Sequence, residues 1–190
     1  MLAAGCASKV ANEDSLGKNI ICFGDSLTEG VGASAGGDYP AVLGKLLGKP
    51  VINSGRSGET SGNALARIET DVLERDPLLV IVEFGANDAF QRIPPEETFH
   101  NIEKIVSLIE GKGSMVALIT VKMGLFSDAY TDELEAIAKK RQALWIPDIM
   151  QGILTNPRLK SDQIHPNDEG YRVMAEKIHR AIRRLVARRE

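Results

Sequence analysis

Three residues of this chain have types and surroundings that suit nucleophilic acyl transfer. Ser26 follows an apolar run in a turn that begins with Gly24, and the glycine permits a tight backbone that exposes the serine hydroxyl. Asp162 and His165 lie three residues apart near the other end of the chain. At that spacing they can share one loop in which the carboxylate orients and charges the imidazole. A hydroxyl, an imidazole and a carboxylate are the groups of nucleophilic catalysis, so these residues are candidates for one site.

Each of these assignments has a competitor within the sequence. A serine in such a turn is also typical of a helix N-cap, so Ser26 alone does not define a nucleophile. Asp168 competes with Asp162 as the partner of the histidine, although its position fits the start of the last helix. The other two histidines, His100 and His179, fall inside amphipathic segments, where a structural role is the ordinary expectation.

Two further polar turns carry hydrogen-bond donors that could meet a reacting oxygen. The segment 53–61 contains Gly58, where the backbone can approach a ligand closely and point an N–H at it. Asn87, in the segment 85–88, offers an uncharged side-chain amide with two protons. The competing interpretations are a plain loop with an N-cap at Thr60, and an ordinary turn residue at Asn87.

Strands and helices alternate along the chain and must position these turns. Five short apolar runs have the length of buried strands, at residues 19–23, 51–53, 78–84, 115–121 and 144–146. The segments between them have helical spacing, and the last helix carries an apolar stripe of Tyr171, Met174, Ile178, Ile182 and Leu185. This alternation predicts the α/β class, as a three-layer α/β/α sandwich around a five-stranded parallel sheet.

The candidate residues share one edge of this predicted sheet. In such folds ligands bind beyond the carboxyl ends of the strands, near the point where strand order reverses. Ser26 follows the first apolar run, Gly58 the second and Asn87 the third, while His165 precedes the last helix. The fold therefore predicts that these turns converge.

The same turns resemble four sequence blocks of the SGNH hydrolase family, also called the GDSL type. The blocks are Gly24-Asp25-Ser26-Leu27, Gly58 within residues 57–60, Gly85-Ala86-Asn87-Asp88, and Asp162-x-x-His165-Pro166. They stand in the order of the family and cover nearly the whole chain from residue 19 onward. The resemblance implies the flavodoxin-like fold of that family, in agreement with the sandwich that the alternation predicts.

The resemblance also implies a role for each matching residue. Ser26 would attack an acyl carbonyl, His165 would remove the serine proton, and Asp162 would hold and charge His165. The backbone N–H groups of Ser26 and Gly58 and the side-chain amide of Asn87 would bind the oxyanion. This machinery consists of protein groups alone, so no metal and no organic cofactor is expected.

The segment 57–61 and the preceding run 51–53 look most like the lysophospholipase, thioesterase and arylesterase branch of the family. The branch implies a serine esterase that hydrolyses small acyl esters or thioesters through an acyl-enzyme intermediate. Apolar residues beside the site could form an acyl-binding wall, namely Phe90, Met123, Leu125 and Phe126. The same side chains could instead anchor their loops to the core. The segment 121–126 departs from the Asn-Tyr-Gly sequence common in this branch, which leaves the acyl-chain length open.

Three other interpretations compete with this esterase. A carbohydrate or cell-wall O-acetylesterase would use the same residues, but the single Trp145 provides no evident platform for sugar stacking. Residues 30–35 imitate a dinucleotide-binding G-x-G-x-x-A turn, yet they do not directly follow the strand and Asn53 replaces the acidic residue that would hold a ribose. A catalytically silent binding module would have lost a serine, histidine or asparagine that this chain retains.

Composition and the first residues bear on partners and location. The composition, with 43% hydrophobic and 26% charged residues, predicts a soluble domain over residues 19–190. The net charge of −3 predicts no nucleic-acid partner. Residues 1–18 are expected to form a flexible segment. Small residues precede Cys6 as in a bacterial lipoprotein signal, which favours a lipid anchor at Cys6 and a location in the bacterial cell envelope. The alternative is a cytoplasmic protein with an unmodified Cys6.

Overall fold

A parallel sheet forms the centre of the protein in the computed structural model, which describes residues 9–122 and 128–187. Within these ranges the strands are Asn19–Gly24 (β1), Val51–Gly55 (β2), Pro77–Glu83 (β3), Met115–Ile119 (β4) and Leu144–Ile146 (β5). Their order is β2-β1-β3-β4-β5, and every pair is parallel. The order reverses between β1 and β3, so a ligand crevice is expected at the carboxyl ends of these two strands.

Helices cover both faces of the sheet. In the described ranges they are Ser26–Glu29 (α1), Tyr39–Leu47 (α2), Ser61–Asp71 (α3), Ala86–Phe90 (α4), Pro95–Gly111 (α5), Asp128–Lys140 (α6) and Asp168–Ala187 (α7). Helices α2 and α7 pack together on one face, and α3, α5 and α6 lie on the other. The predicted three-layer sandwich with a five-stranded parallel sheet is confirmed.

The two faces of the sheet are both apolar because the strands are buried on both sides. In β1, Ile20 and Cys22 point into the core beneath α2 and α7, whereas Ile21 and Phe23 point into the core beneath α3 and α5. Successive side chains of a strand alternate between faces, so a continuous apolar run is needed for such a central strand. The last helix contributes the fully buried Tyr171 to the first of these cores, as its apolar stripe predicts.

Of the segment 1–18 that the sequence predicts to be flexible, the structure describes residues 9–18. From Lys9 onward the chain packs against the domain, and Val10 is a buried member of the core beneath α2 and α7. The Ala11 N–H donates to the Gln142 carbonyl at 2.8 Å, and the Asn12 side-chain amide donates to the Ser114 carbonyl at 3.0 Å. These contacts are far apart in sequence, which is why local composition did not predict them. Cys6 lies outside the described residues.

Candidate active site

The nucleophile candidate Ser26 begins helix α1, directly after β1. Asp25 precedes it as the N-cap, and its Oδ1 accepts a hydrogen bond from the Leu27 N–H at 3.0 Å. Strand β2 passes so close beneath this helix that a Cβ added to Gly55 would lie 2.0 Å from the backbone nitrogen of Glu29. The turn that carries Ser26 is therefore fixed by its own cap and by the strand below it.

A continuous chain of hydrogen bonds joins Ser26, His165 and Asp162. Ser26 Oγ lies 3.1 Å from His165 Nε2, and His165 Nδ1 lies 2.7 Å from Asp162 Oδ2. The other carboxylate oxygen, Oδ1, accepts the backbone N–H groups of Ile164 and His165, each at 2.8 Å. The backbone and side chain of His165 and the Ile164 N–H together lower the pKa of Asp162 to about 2. Asp162 is thus an ionised acceptor, and the proton between it and the imidazole resides on Nδ1.

The loop that carries Asp162 and His165 is held by its own backbone. The Ser161 N–H donates to the His165 carbonyl at 3.0 Å, and Lys160 pairs with Pro166 in an isolated antiparallel bridge. Asp168, the competing carboxylate, instead accepts the Ser34 N–H at 2.7 Å and the Ser34 hydroxyl at 2.6 Å. The structure therefore places Asp162, and not Asp168, against the imidazole.

Two of the three predicted oxyanion donors have a free backbone N–H. Within the described part of the chain, no group accepts a hydrogen bond from the N–H of Ser26 or of Gly58. Gly58 has a φ of 79°, in the left-handed region that glycine tolerates, and the Gly58 carbonyl accepts the Gln91 side chain at 3.4 Å. This contact joins the Gly58 loop to the C-terminal end of helix α4, where Gln91 is the C-cap.

The third predicted donor, Asn87, is already engaged. Its Nδ2 donates to Asp25 Oδ2 and to the Glu59 carbonyl, both at 3.0 Å. An amide nitrogen has two protons, so both are in use. Donation to an oxyanion would require Asn87 to share one of these bonds. The sequence indicated the position of Asn87 but not its partners.

A small cleft opens beside the serine. It encloses about 20 Å³ and is lined by Asp25, Ser26, Leu27, Ala86, Asn87, Phe90, Ile164 and His165. The Phe90 side chain, a predicted substrate contact, lies at this cleft and remains 48% exposed. The other three predicted contacts, Met123, Leu125 and Phe126, lie outside the described residues.

Comparison with known proteins agrees with this geometry. The sequence model of the GDSL-like lipase/acylhydrolase family matches residues 22–173. The chain belongs to the GDSL-like lipase/acylhydrolase family. Among its relatives is an arylesterase of Vibrio mimicus, 29% identical over 170 residues, with 84% of this chain and 85% of the relative covered. Another is thioesterase 1/protease 1/lysophospholipase L1 of Escherichia coli K12, 26% identical, with 88% and 84% covered.

Solved structures of GDSL-family proteins have the same fold. AlinE4, an SGNH-hydrolase family esterase, is 30% identical, with a TM-score of 0.68 over 92% of this chain and 98% of that one. The family match and these esterase relatives show that the chain is a carboxylic ester hydrolase. Among its described residues, no cluster of three or more metal-ligating side chains occurs, and no helix is long and apolar enough to span a membrane.

A buried arginine of this GDSL-family enzyme was not predicted. Arg67 Nε donates to Glu59 at 2.5 Å, and Nη1 donates to Asp71 at 2.9 Å and to the Ser54 carbonyl at 3.0 Å. Its Nη2 donates to the Gly24 carbonyl at 3.3 Å. One side chain therefore connects the ends of β1 and β2 with the loop that carries Gly58. The signal in the sequence was its position on the apolar face of α3, between Ala64 and Ile68.

Proposed function

We propose that this enzyme is a serine esterase in which Ser26 is acylated by small ester or thioester substrates. The observation that carries the proposal is the hydrogen-bond chain from Ser26 Oγ through His165 to Asp162, which opens into a cleft. Because Asp162 accepts the Nδ1–H, the Nε2 lone pair of His165 faces the serine hydroxyl and can remove its proton. No other group is needed to generate the nucleophile.

The reaction proceeds in two halves on this geometry. Ser26 Oγ attacks the acyl carbonyl carbon while His165 takes the hydroxyl proton, and the oxyanion forms beside the N–H groups of Ser26 and Gly58. Collapse of the tetrahedral species breaks the ester bond, and His165 gives its proton to the leaving alcohol or thiol. Water, deprotonated by His165, then attacks the acyl-enzyme and releases the carboxylic acid. Asp162 balances the imidazolium charge in both halves.

The cleft supports a preference for short acyl chains. A buried methylene group contributes about 0.8 kcal/mol, or about fourfold in kcat/KM, only while it lies inside an apolar enclosure. At about 20 Å³ the described cleft encloses little beyond the first carbons, and the chain then meets the exposed face of Phe90. We expect kcat/KM for p-nitrophenyl esters to rise over the first added methylenes and then to level off. Initial rates from acetate to palmitate measure this profile.

A Phe90→Ala variant separates the acyl wall from a general loss of structure. It should lower kcat/KM for the hexanoate ester by about tenfold and for acetate by less than about twofold, since acetate does not reach the ring. Leu16→Ala, which removes a 93% exposed apolar side chain elsewhere on the surface, is the control and should change neither. A steady rise to palmitate would oppose the short-chain preference and favour a lysophospholipase, while activity confined to acetate would favour an O-acetylesterase.

We further propose that Cys6 carries a lipid that anchors the enzyme in the bacterial cell envelope. The support is the run of small residues at positions 3–5 directly before this cysteine. Expression of the gene in its own host should yield a protein whose N-terminal peptide has the added mass of acyl chains. Mass spectrometry that finds Cys6 unmodified would exclude the anchor. Cys6→Ala, which cannot be acylated, supplies the reference mass and should be released from the membrane fraction.

A further inference from the structure

Two buried carboxyl groups lie in contact directly beneath the nucleophile turn. Asp25 is 2% exposed and Glu83 is 1% exposed. Asp25 directly follows β1, and Glu83 ends the adjacent strand β3, where it is in register with Gly24. The Asp25 N–H donates to Glu83 Oε2 at 3.4 Å, which brings the two buried residues together. A hydrogen bond between two carboxyl groups requires a proton on one of them.

No lysine or arginine forms an ion pair with either carboxyl group within the part of the chain that the structure describes. The guanidinium of Arg67 reaches the Gly24 carbonyl, but its ion pairs are with Glu59 and Asp71. Two carboxylates in contact and out of water repel each other strongly, and desolvation opposes both charges. The pair therefore holds a single negative charge at neutral pH.

The hydrogen bonds indicate which residue carries that charge. Both oxygens of Asp25 accept N–H donors, Oδ1 from Leu27 and Oδ2 from Asn87. Glu83 Oε2 accepts the Thr28 hydroxyl at 3.2 Å and the Asp25 N–H at the longer distance of 3.4 Å. The two N–H donors of Asp25, each at 3.0 Å and on separate oxygens, stabilise a carboxylate more than a hydroxyl and a long N–H bond on one oxygen do. The charge thus belongs on Asp25 and the proton on Glu83.

We propose that Glu83 is a positioning residue of the esterase, protonated in the active enzyme and donating its O–H to the Asp25 carboxylate. Asp25 then holds two groups of the site at once, the Leu27 N–H that fixes the Ser26 turn and the amide of Asn87. If Glu83 lost its proton, Asp25 would face a second negative charge, and the hydrogen bond that it accepts from Asn87 would change. The inference rests on the proposed function for its kinetic consequences, but the proton itself does not depend on that function.

The electrostatic surroundings agree with this assignment. Burial raises the pKa of Asp25 to about 6, and it raises the pKa of Glu83 well above its ordinary value, with the neighbouring Asp25 adding to the shift. The titratable groups that face the pair are His165 and Asp88 towards Asp25, and Tyr39 and Tyr171 from α2 and α7. Cys22 of β1 lies behind them, against Tyr39. At neutral pH the phenols and the thiol are uncharged, because burial raises their pKa values above the ordinary range.

The first test observes the proton directly. Infrared spectra at neutral pH should contain a protonated-carboxyl C=O band in wild type and in Ser26→Ala, and the band should be missing in Glu83→Gln. An absent band in wild type, or the same band in Glu83→Gln, would overturn the proposal. Because Ser26→Ala has no nucleophile, this readout is independent of whether the proposed esterase mechanism holds.

The second test uses stability against pH. Glu83 has a raised pKa in the folded protein, so the stability that it contributes is fully present below its ordinary value of 4.5 and is lost as pH rises through the folded value. The free energy of unfolding of wild type relative to Glu83→Gln, from urea titrations, should therefore fall as pH rises. A difference that stays constant or increases with pH would contradict a protonated Glu83.

The third test is kinetic and compares two variants of similar size. Glu83→Gln retains a donor to Asp25, so its kcat should stay within about threefold of wild type. Glu83→Met lacks the donor and should lose about 10- to 100-fold in kcat with little change in KM. Equal losses in Glu83→Gln and Glu83→Met would mean that the donor is irrelevant. If wild type and Ser26→Ala hydrolyse esters equally, the proposed function fails while the infrared and stability results stand on their own.

Discussion

Ser26→Ala is expected to lower kcat for p-nitrophenyl ester hydrolysis by about 10⁴- to 10⁶-fold, the loss typical of removing the nucleophile from a triad. The Ser26 hydroxyl is the group at the open end of the hydrogen-bond chain, 3.1 Å from the imidazole. Alanine leaves His165 and Asp162 in place, so water would be the only remaining nucleophile. Because the substitution removes one oxygen from a half-buried position, the fold should be retained, as circular dichroism can verify.

The control for this variant is Ser57→Ala. Ser57 is exposed at the same edge of the sheet, and within the described residues its hydroxyl makes no hydrogen bond. It should keep wild-type kcat. A fluorophosphonate probe provides a second readout, since it should attach covalently to wild type and to Ser57→Ala but not to Ser26→Ala. Equal labelling of all three proteins would remove Ser26 from the mechanism.

Asp162→Asn is expected to have the second largest effect, a fall in kcat/KM of about 10³- to 10⁴-fold. The asparagine can present an N–H to His165 Nδ1, which would move the imidazole proton to Nε2. A protonated Nε2 cannot accept the Ser26 proton, so the base would be lost although the geometry is preserved. Initial rates at one fixed pH measure the effect.

The matched control is Asp168→Asn, the same change at the competing carboxylate. Asp168 bonds Ser34 and does not contact the imidazole, so kcat/KM should change by less than about threefold. A large loss in Asp168→Asn with little effect in Asp162→Asn would reverse the assignment. Because the pKa of Asp162 is about 2, its carboxylate stays ionised over the range in which esters are assayed. A decline of activity at mildly acidic pH must therefore arise from another group.

The sequence predicted the sheet, its layers and the proximity of Ser26, His165 and Asp162 because each is encoded in local patterns. Continuous apolar runs mark strands buried on both faces, and the turns that follow them are brought together by parallel topology. Asp162 and His165 belong to one short loop, so their spacing alone indicated their contact. The ends of the strands differ from the predicted ones by one or two residues. The run predicted at residues 78–84, for example, forms β3 from Pro77 to Glu83.

What the sequence did not predict depends on contacts between distant segments. Glu83 is a charged residue at the end of an apolar run, and only its register with Gly24 places it against Asp25. Arg67 could have been a solvated cation, and its burial follows from the packing of α3 against two strands. The docking of Val10 likewise depends on surfaces that are assembled only in the folded domain.

The ion-pair cluster of Arg67 has a consequence for how the enzyme meets its substrate. A loop that is free to open in the native state must be ordered again at every encounter, at a cost in binding free energy. Here Gly24, Ser54 and Glu59 bond one buried guanidinium, so the turn after β1 and the loop after β2 cannot separate without exposing unpaired charges. Their opening is therefore coupled to unfolding of the sheet edge itself, and the ordering entropy is lost once, during folding.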